Sequence, residues 1–324
     1  MMRDTPNLSH SNNNPKISIG DTGMFASMVA ASSSPGCPNI YTVHLRYPRF
    51  IHSEVMTHRV FSRNARSSRA VPIQKMIDEV RDTPVVPWHW GKNQKGMQAT
   101  EECSARVEVP EYCYDPDQGF ARLQTLELAR EDAWRHAAAQ AASRAEEFKD
   151  AGYHKQIVNR LLEPFMWIDT LVTATDWYNF LWLRDHKDAE PHIRDLAIAI
   201  KFLIVATEPR ELKIGQWHLP YTTEEERSSL SQELLQQISA ARSARMSYKA
   251  FDGTSSVPAD VALYNKLTSG TNSPEERIHA SPLEHQATPD PHASRAHQWG
   301  NFRRWIQHRK TIPGEYFDQA LSDV

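Results

Sequence analysis

The stretch Tyr47-Pro48-Arg49-Phe50-Ile51-His52-Ser53-Glu54-Val55-Met56-Thr57-His58-Arg59-Val60-Phe61-Ser62-Arg63-Asn64-Ala65-Arg66-Ser67-Ser68-Arg69-Ala70 places Arg59, Arg63, Arg66 and Arg69 at spacings of four, three and three. That spacing predicts a helix with four guanidinium groups along one side. Such a row attracts anions, and His58, Ser62, Asn64, Ser67 and Ser68 between the arginines suit phosphate or carbonyl oxygens. Two readings are open for a basic run: a solvated helix whose arginines pair with acids elsewhere, or an anion site. The context favours the second. Ile40 to Leu45 alternates like a half-buried strand, and Pro48 stops it and turns the chain into the basic segment.

A chain of 324 residues, 40% hydrophobic and 24% charged, has the make-up of a globular protein with one large core or two modest ones. Its net charge of -3 excludes a generally basic nucleic-acid coat, so anion binding must come from local clusters. No apolar run approaches the roughly 20 residues of a membrane helix. The polar, Asn/Ser/Pro-rich start is unlike a signal peptide, which points to the cytoplasm. Cys37, Cys103 and Cys113 are odd in number and widely spaced, which suits a reducing compartment and not a disulfide framework. Metal is not favoured either: His279, His285, His292, His297 and His308 include no His-x-x-x-His pair on a helix.

Taken in order, residues 1–22 read as a flexible segment. Residues 24–32 read as a helix or strand, and 73–80 as a short amphipathic helix. The irregular stretch 88–98 has two Trp, a His, two Lys and two Gly; it suits stacking on an aromatic ring or anchoring a loop. Ala-rich periodicity predicts a helix over 118–150, ended by Gly152. Further helices are expected from about 154, over 171–184, over 191–206 with a broad apolar face, and from the capped start at Thr222–Glu226 to Arg242. The tail 299–310 is basic with interleaved aromatics, fitting a cover over a site, an interface or a nucleic-acid contact.

Thr57-His58-Arg59, seven residues, Ser67 and then Arg69-Ala70 resembles the signature of the flavin-dependent thymidylate synthases, the ThyX family, which reads Arg-His-Arg, seven residues, Ser, and an Arg-Tyr pair. Thr57, Ala65 and Ala70 stand where that family has Arg, Glu and Tyr. Arg160-Leu161-Leu162-Glu163-Pro164 is similar to its Arg-x-x-x-Pro, and Asn179-Phe180-Leu181-Trp182-Leu183-Arg184 to its Asn-Phe-Leu-x-Leu-Arg. Ala189 and Ile193-Arg194 fall on its next motif, with Glu190 and His192 in place of Gln and Glu. Two motifs that normally open the family instead come late: Ala244-Arg245-Met246-Ser247-Tyr248, and His279-Ala280-Ser281-Pro282-Leu283-Glu284-His285. The order resembles a circular permutation, which a domain tolerates because chain ends commonly lie close together.

The resemblance implies an α+β fold, a mixed α/β arrangement with a central, mostly antiparallel sheet and a helical bundle. It also implies one catalytic domain over 23–324 and a homotetramer with shared sites. NADPH would reduce FAD, and methylenetetrahydrofolate would give a one-carbon unit to C5 of dUMP. By the same resemblance Arg184 is the catalytic residue, polarising the pyrimidine. Arg160, Ser67, Ser68 and Arg69 would hold the nucleotide, and His58, Arg59, Asn179, His279 and Ser281 the flavin. Thr173 and Thr175 replace a flavin-contacting Asn and Arg, which bears on flavin grip and substrate choice. The alternatives are methyl or hydroxymethyl transfer to another pyrimidine nucleotide, and a non-catalytic nucleotide- or nucleic-acid-binding homologue.

Overall fold

A computed structural model describes residues 7–11, 14–115, 117, 119–247, 255–268 and 280–315. The strands are β1 (Asn7–Ser11), β2 (Asn14–Ser18), β3 (Phe25–Ser33), β4 (Ile40–Pro48), β5 (Ser62–Ala65), β6 (Val107–Asp115), β7 (Phe120–Leu128), β8 (Trp167–Ala174), β9 (Arg210–Glu211), β10 (Ala287–Pro289) and β11 (Trp305–Gln307). The helices are α1 (His52–Met56), α2 (Ile73–Asp82), α3 (Arg130–Asp150), α4 (Lys155–Val158), α5 (Tyr178–Arg184), α6 (Pro191–Ala206), α7 (Glu224–Ser229), α8 (Gln232–Arg245) and α9 (Val257–Thr268). The fold is α+β. Its main sheet runs β1-β2-β3-β4-β8-β5, antiparallel throughout, with β9 added parallel to β3.

Strands β4 and β8 form the middle of this sheet, paired from Tyr41 opposite Ala174 to Pro48 opposite Trp167. Alternation sends Tyr41, Val43, Leu45 and Tyr47 to one face with Ile168, Val172 and Ala174. That face is closed by α6 through Ile193, Leu196, Ala197, Ile200 and Leu203, the apolar stripe expected for 191–206. A second, helical core packs α2 on α3, where Ala138, Ala142 and Ala145 let the helices approach Met76, Ile77 and Val80 closely. Helices α7, α8 and α9 are locked by Arg242. Its Nε donates to Asp260 at 2.8 Å, and its terminal nitrogens donate to Glu226 at 2.6 and 2.8 Å.

The opposite face of β4 and β8 is polar yet covered. Thr42 and Thr173 meet hydroxyl to hydroxyl at 2.7 Å, and His44 Nε2 sits 2.9 Å from Asp169. The Thr pair continues at both ends: Thr42 to His218 Nε2 at 2.8 Å, His218 Nδ1 to Ser32 at 2.9 Å, and Thr173 to His285 Nδ1 at 2.8 Å. Each link satisfies a group that would otherwise be buried and unpaired. The tail 299–310 belongs to the same cover. Its strand β11 pairs with β10, Trp305 is fully buried, and Asn301 and Gln307 both donate to Ser62 Oγ at 3.1 Å.

Several local expectations are corrected. The basic stretch is not a helix: α1 ends at Met56, and Ser62–Ala65 is strand β5, paired edge-on with β8. The β-branched and small residues around 167–174 complete the sheet, so the helix expected over 171–184 is strand β8 followed by the short α5. Residues 120–128 pair with 107–115 as a β-hairpin, and the helix starts only at Arg130. The helix near 154 is one turn, α4, running into a 3₁₀ segment that contains Pro164. The segment from 222 to 242 is split into α7 and α8 at Leu230. Within the segment expected to be flexible, residues 16–18 pair with β3 and Ile17 is buried.

Burial holds His218 and His285 neutral, pushing both from 6.5 to about 3, with Arg227 and then His285 adding to the effect on His218. The unfolded chain takes up protons below pH 6.5 that the folded chain refuses until about pH 3. This contribution to stability is therefore complete above 6.5 and lost as pH falls toward 3. The melting temperature should drop progressively from pH 7 to pH 5, measured by differential scanning calorimetry; a flat profile over that range would contradict the assignment.

Candidate functional site

Two clusters form at the two ends of β5. At its start, Arg184 leaves the end of α5 and donates through Nε to His58 Nε2 at 3.0 Å. Its Nη2 donates to Thr57 Oγ1 at 3.1 Å and to the Glu54 carbonyl at 3.4 Å. Accepting from a guanidinium requires a lone pair on His58 Nε2, so the ring is neutral with its proton on Nδ1. Its pKa is accordingly pushed down to about 4, by burial first and then by the charges of Arg184 and Arg63. Phe61 and Phe180 enclose the ring at 5.8 and 4.8 Å between centroids. The other terminal nitrogen of Arg184, Nη1, has no partner among the described residues. Thr57, standing in for an arginine, becomes an acceptor for Arg184, and the arginine's aim is fixed from three sides.

At the far end of β5 the chain turns through residues 66–71 and is pinned at each step. The Arg66 amide donates to the Asp169 carbonyl at 2.8 Å, and the Ser67 amide to the Ser247 carbonyl at 2.8 Å. Buried Asn159 donates to the Ser68 and Val71 carbonyls at 2.7 and 3.1 Å. Glu163 accepts from Arg49 at 2.9 Å and from the Ser68 hydroxyl at 3.3 Å. Ser68 is thus buried with its hydroxyl engaged, while Ser67 Oγ accepts from the Arg69 amide at 3.3 Å. Lys155 adds a cation here, donating to the Ala70 carbonyl at 3.3 Å.

The four arginines separate by role. Arg63 donates to the Met56 and His58 carbonyls at 2.9 and 3.2 Å, closing the end of α1. Arg66 makes a bidentate pair with Glu79 at 2.8 Å on both arms. Arg59 and Arg69 are exposed, and neither guanidinium has a partner among the described residues. Arg160 is also exposed, with only its Nε engaged, on the Gln156 carbonyl at 3.1 Å. Asn179 is exposed on the first turn of α5. Three exposed cations with no acidic partner among the described residues are what a phosphate or another anion needs.

The late motifs come back to the same strand. Asn64 donates to the Ser243 carbonyl at 2.6 Å and accepts from Ser247 Oγ at 3.2 Å. The 3₁₀ turn Ser281–Glu284 packs on β5, and Ser281 is exposed there. His279 lies outside the described residues, as does Tyr248. Thr173 and Thr175 turn inward: the first joins the buried hydroxyl–imidazole chain, and the second accepts from the Arg303 amide at 3.0 Å. Asn159 and Glu163 are the residues of this region that sequence reasoning did not weigh, while Asn64, weighed as an anion ligand, is instead spent on the Ser243 carbonyl and Ser247. Glu163 was the more findable of the two not weighed, lying three residues from Arg160 and beside Pro164.

Replacing either engaged arginine should cost stability: Arg63→Ala or Arg66→Ala should lower unfolding free energy by about 1–3 kcal/mol. Arg59→Ala and Arg69→Ala should leave it within about 0.5 kcal/mol of the parent. Urea denaturation of the four variants checks the division, and equal losses across all four would refute it.

Among the described residues, no helix is long and apolar enough to cross a membrane. No curated protein matches the sequence. One family profile does, described as thymidylate synthase complementing protein (Thy1), over residues 28–210. The matched span exceeds half of the chain, includes both clusters and their arginines except for the late motifs, and covers every strand from β4 to β8. The chain belongs to the thymidylate synthase complementing family, the ThyX family.

Proposed function

We propose that the protein is a flavin-dependent thymidylate synthase, transferring a one-carbon unit from methylenetetrahydrofolate to C5 of dUMP with NADPH as reductant. The observation that carries the reading is Arg184, aimed by neutral His58 and Thr57 with no partner on Nη1 among the described residues, while Arg59, Arg69 and Arg160 stand exposed without acidic partners among those residues. The donor chemistry fits both a nucleotide phosphate and the pyrophosphate of FAD. Arg59, Asn179 and Ser281 would hold the flavin, with His279 from the late motif. When bound, the flavin supplies the reducing equivalents that convert the transferred unit to a methyl group.

Arg160, Ser67 and Arg69 bind the nucleotide in this reading, and Ser68 fixes the turn that presents them by its bond to Glu163. Arg184 donates to a pyrimidine carbonyl and stabilises the negative charge that develops on the ring, from a position set before substrate arrives. His58 acts on Arg184 rather than on the flavin, because its Nε2 is already engaged. The permuted order of one catalytic domain is supported by the bonds from Asn64 and Ser67 to Ser243 and Ser247. Shared sites in a homotetramer are supported by Tyr178 and Trp182, 79% and 66% exposed on the helix that carries Asn179 and Arg184.

Purified protein should be yellow and should release tritium from dUMP labelled at C5 when folate and NADPH are present. Tritium release separates this reading from transfer to another pyrimidine. A colourless protein that neither takes up FAD nor turns over dUMP would overturn it. Arg184→Ala should lower kcat by about 10²–10³ while flavin absorbance is retained. Trp182→Asp should shift the mass measured by light scattering from four chains to fewer; an unchanged mass would remove this face from the interface.

A further inference from the structure

A cavity of about 600 Å³, lined by none of the residues of either cluster, lies between the arm formed by residues 88–105, the first turns of α3, the start of α6 and Phe50. Its size suits a small organic ligand. The arm is an ordered element. Gly91 bridges Glu102, Cys103 donates its amide to the Trp90 carbonyl at 2.7 Å, and the Trp90 amide donates to the Glu102 carboxylate at 3.1 and 3.2 Å.

The walls are aromatic and mutually perpendicular: Trp90 against Trp134 at 5.9 Å, and Phe50 against His192 at 5.1 Å. Ala133 and Ala137 on α3 leave a flat floor between them. Faces and edges arranged this way select a planar ring.

Charge in the cavity is already neutralised. Arg130 pairs with Glu102 at 3.1 Å and Glu131 at 2.9 Å, and it donates to the Cys103 carbonyl. Arg106 donates to the Glu127 carbonyl at 2.7 Å and lies 4.0 Å from the Glu127 carboxylate. His192 has both nitrogens engaged, Nδ1 with Glu190 at 2.5 Å and Nε2 with the Trp88 amide at 3.3 Å. His89 is different. Its Nε2 faces Asp195 at 2.8 Å and must donate to that carboxylate, so in the neutral ring Nδ1 is an acceptor, without a partner among the described residues.

We propose that this cavity is a second ligand site, distinct from the nucleotide site, for a neutral planar heteroaromatic ring carrying an N–H donor that bonds to His89. An anion would meet arginines already paired, and an aliphatic ligand would leave the perpendicular rings unstacked.

The test uses the full chain and two fluorescent probes, acridone, which carries one ring N–H, and N-methylacridone, which lacks it. Acridone should bind saturably at one per chain, with quenching of tryptophan fluorescence, and at least tenfold tighter than N-methylacridone. Ala133→Trp should abolish acridone binding by filling the floor, with an unchanged melting temperature, and Ala137→Phe serves if that variant does not fold. His89→Phe should weaken acridone at least tenfold and leave N-methylacridone unaffected. Non-saturable binding, equal affinity for the two probes, or acridone binding that survives the filled floor would each overturn the proposal.

Discussion

The antiparallel pairing of β4 with β8 is the constraint on which the rest of the structure depends. It sends one row of side chains, Val43, Leu45 and Val172 among them, into the core under α6. By the same alternation it sends Thr42, His44, Asp169 and Thr173 to the other face. Burying the first row is favourable on hydrophobic grounds alone. The second row is also removed from water, and it tolerates this only because each hydroxyl, imidazole and carboxylate finds a partner. For Thr42 and Thr173 those partners include His218 and His285, far along the chain, so the C-terminal third is required to complete the cover of the central sheet.

The same sheet distributes the arginines. Strand β5 is the edge strand on the β8 side of the sheet, and its four residues separate two turns that would otherwise be one basic run. Alternation along β5 also decides which residues are spent on structure. Ser62 and Asn64 face inward, to the tail and to α8, while Arg63 turns back onto α1. What remains exposed is a small set of cations, Arg59, Arg69 and Arg160, with Arg184 locked by an imidazole that cannot readily take a proton. The protein keeps charge available at these points by assigning the neighbouring arginines to carbonyls and to Glu79.

Much of the fold was legible where periodicity was long and unambiguous. The apolar stripe of 191–206, the alternation of 40–45 and the amphipathic 73–80 all give the elements expected. Legibility failed where a short segment could satisfy two periods. Arginines spaced four, three and three fit a helix, but Pro48 and the pairing with β8 give them to a turn, a strand and a second turn. The alanines and leucines of 118–150 fit a helix as well. Yet Leu123, Leu126 and Leu128 face β6 in a ladder, and only tertiary pairing distinguishes the two. For the candidate site, the sequence shows only which residue types its motifs offer, whereas the engagement of Ser68 by Glu163 and of His58 by Arg184 depends on partners 95 and 126 residues away.

By itself the sequence determined the inventory: a mixed α+β chain, the family to which its motifs belong, and the arginines, asparagines and serines available for anion chemistry. The tertiary structure decided which of those groups are free. A guanidinium is a binding group only if no carboxylate or carbonyl claims it first, and the claimants here are brought in by sheet pairing and burial, which no local spacing encodes.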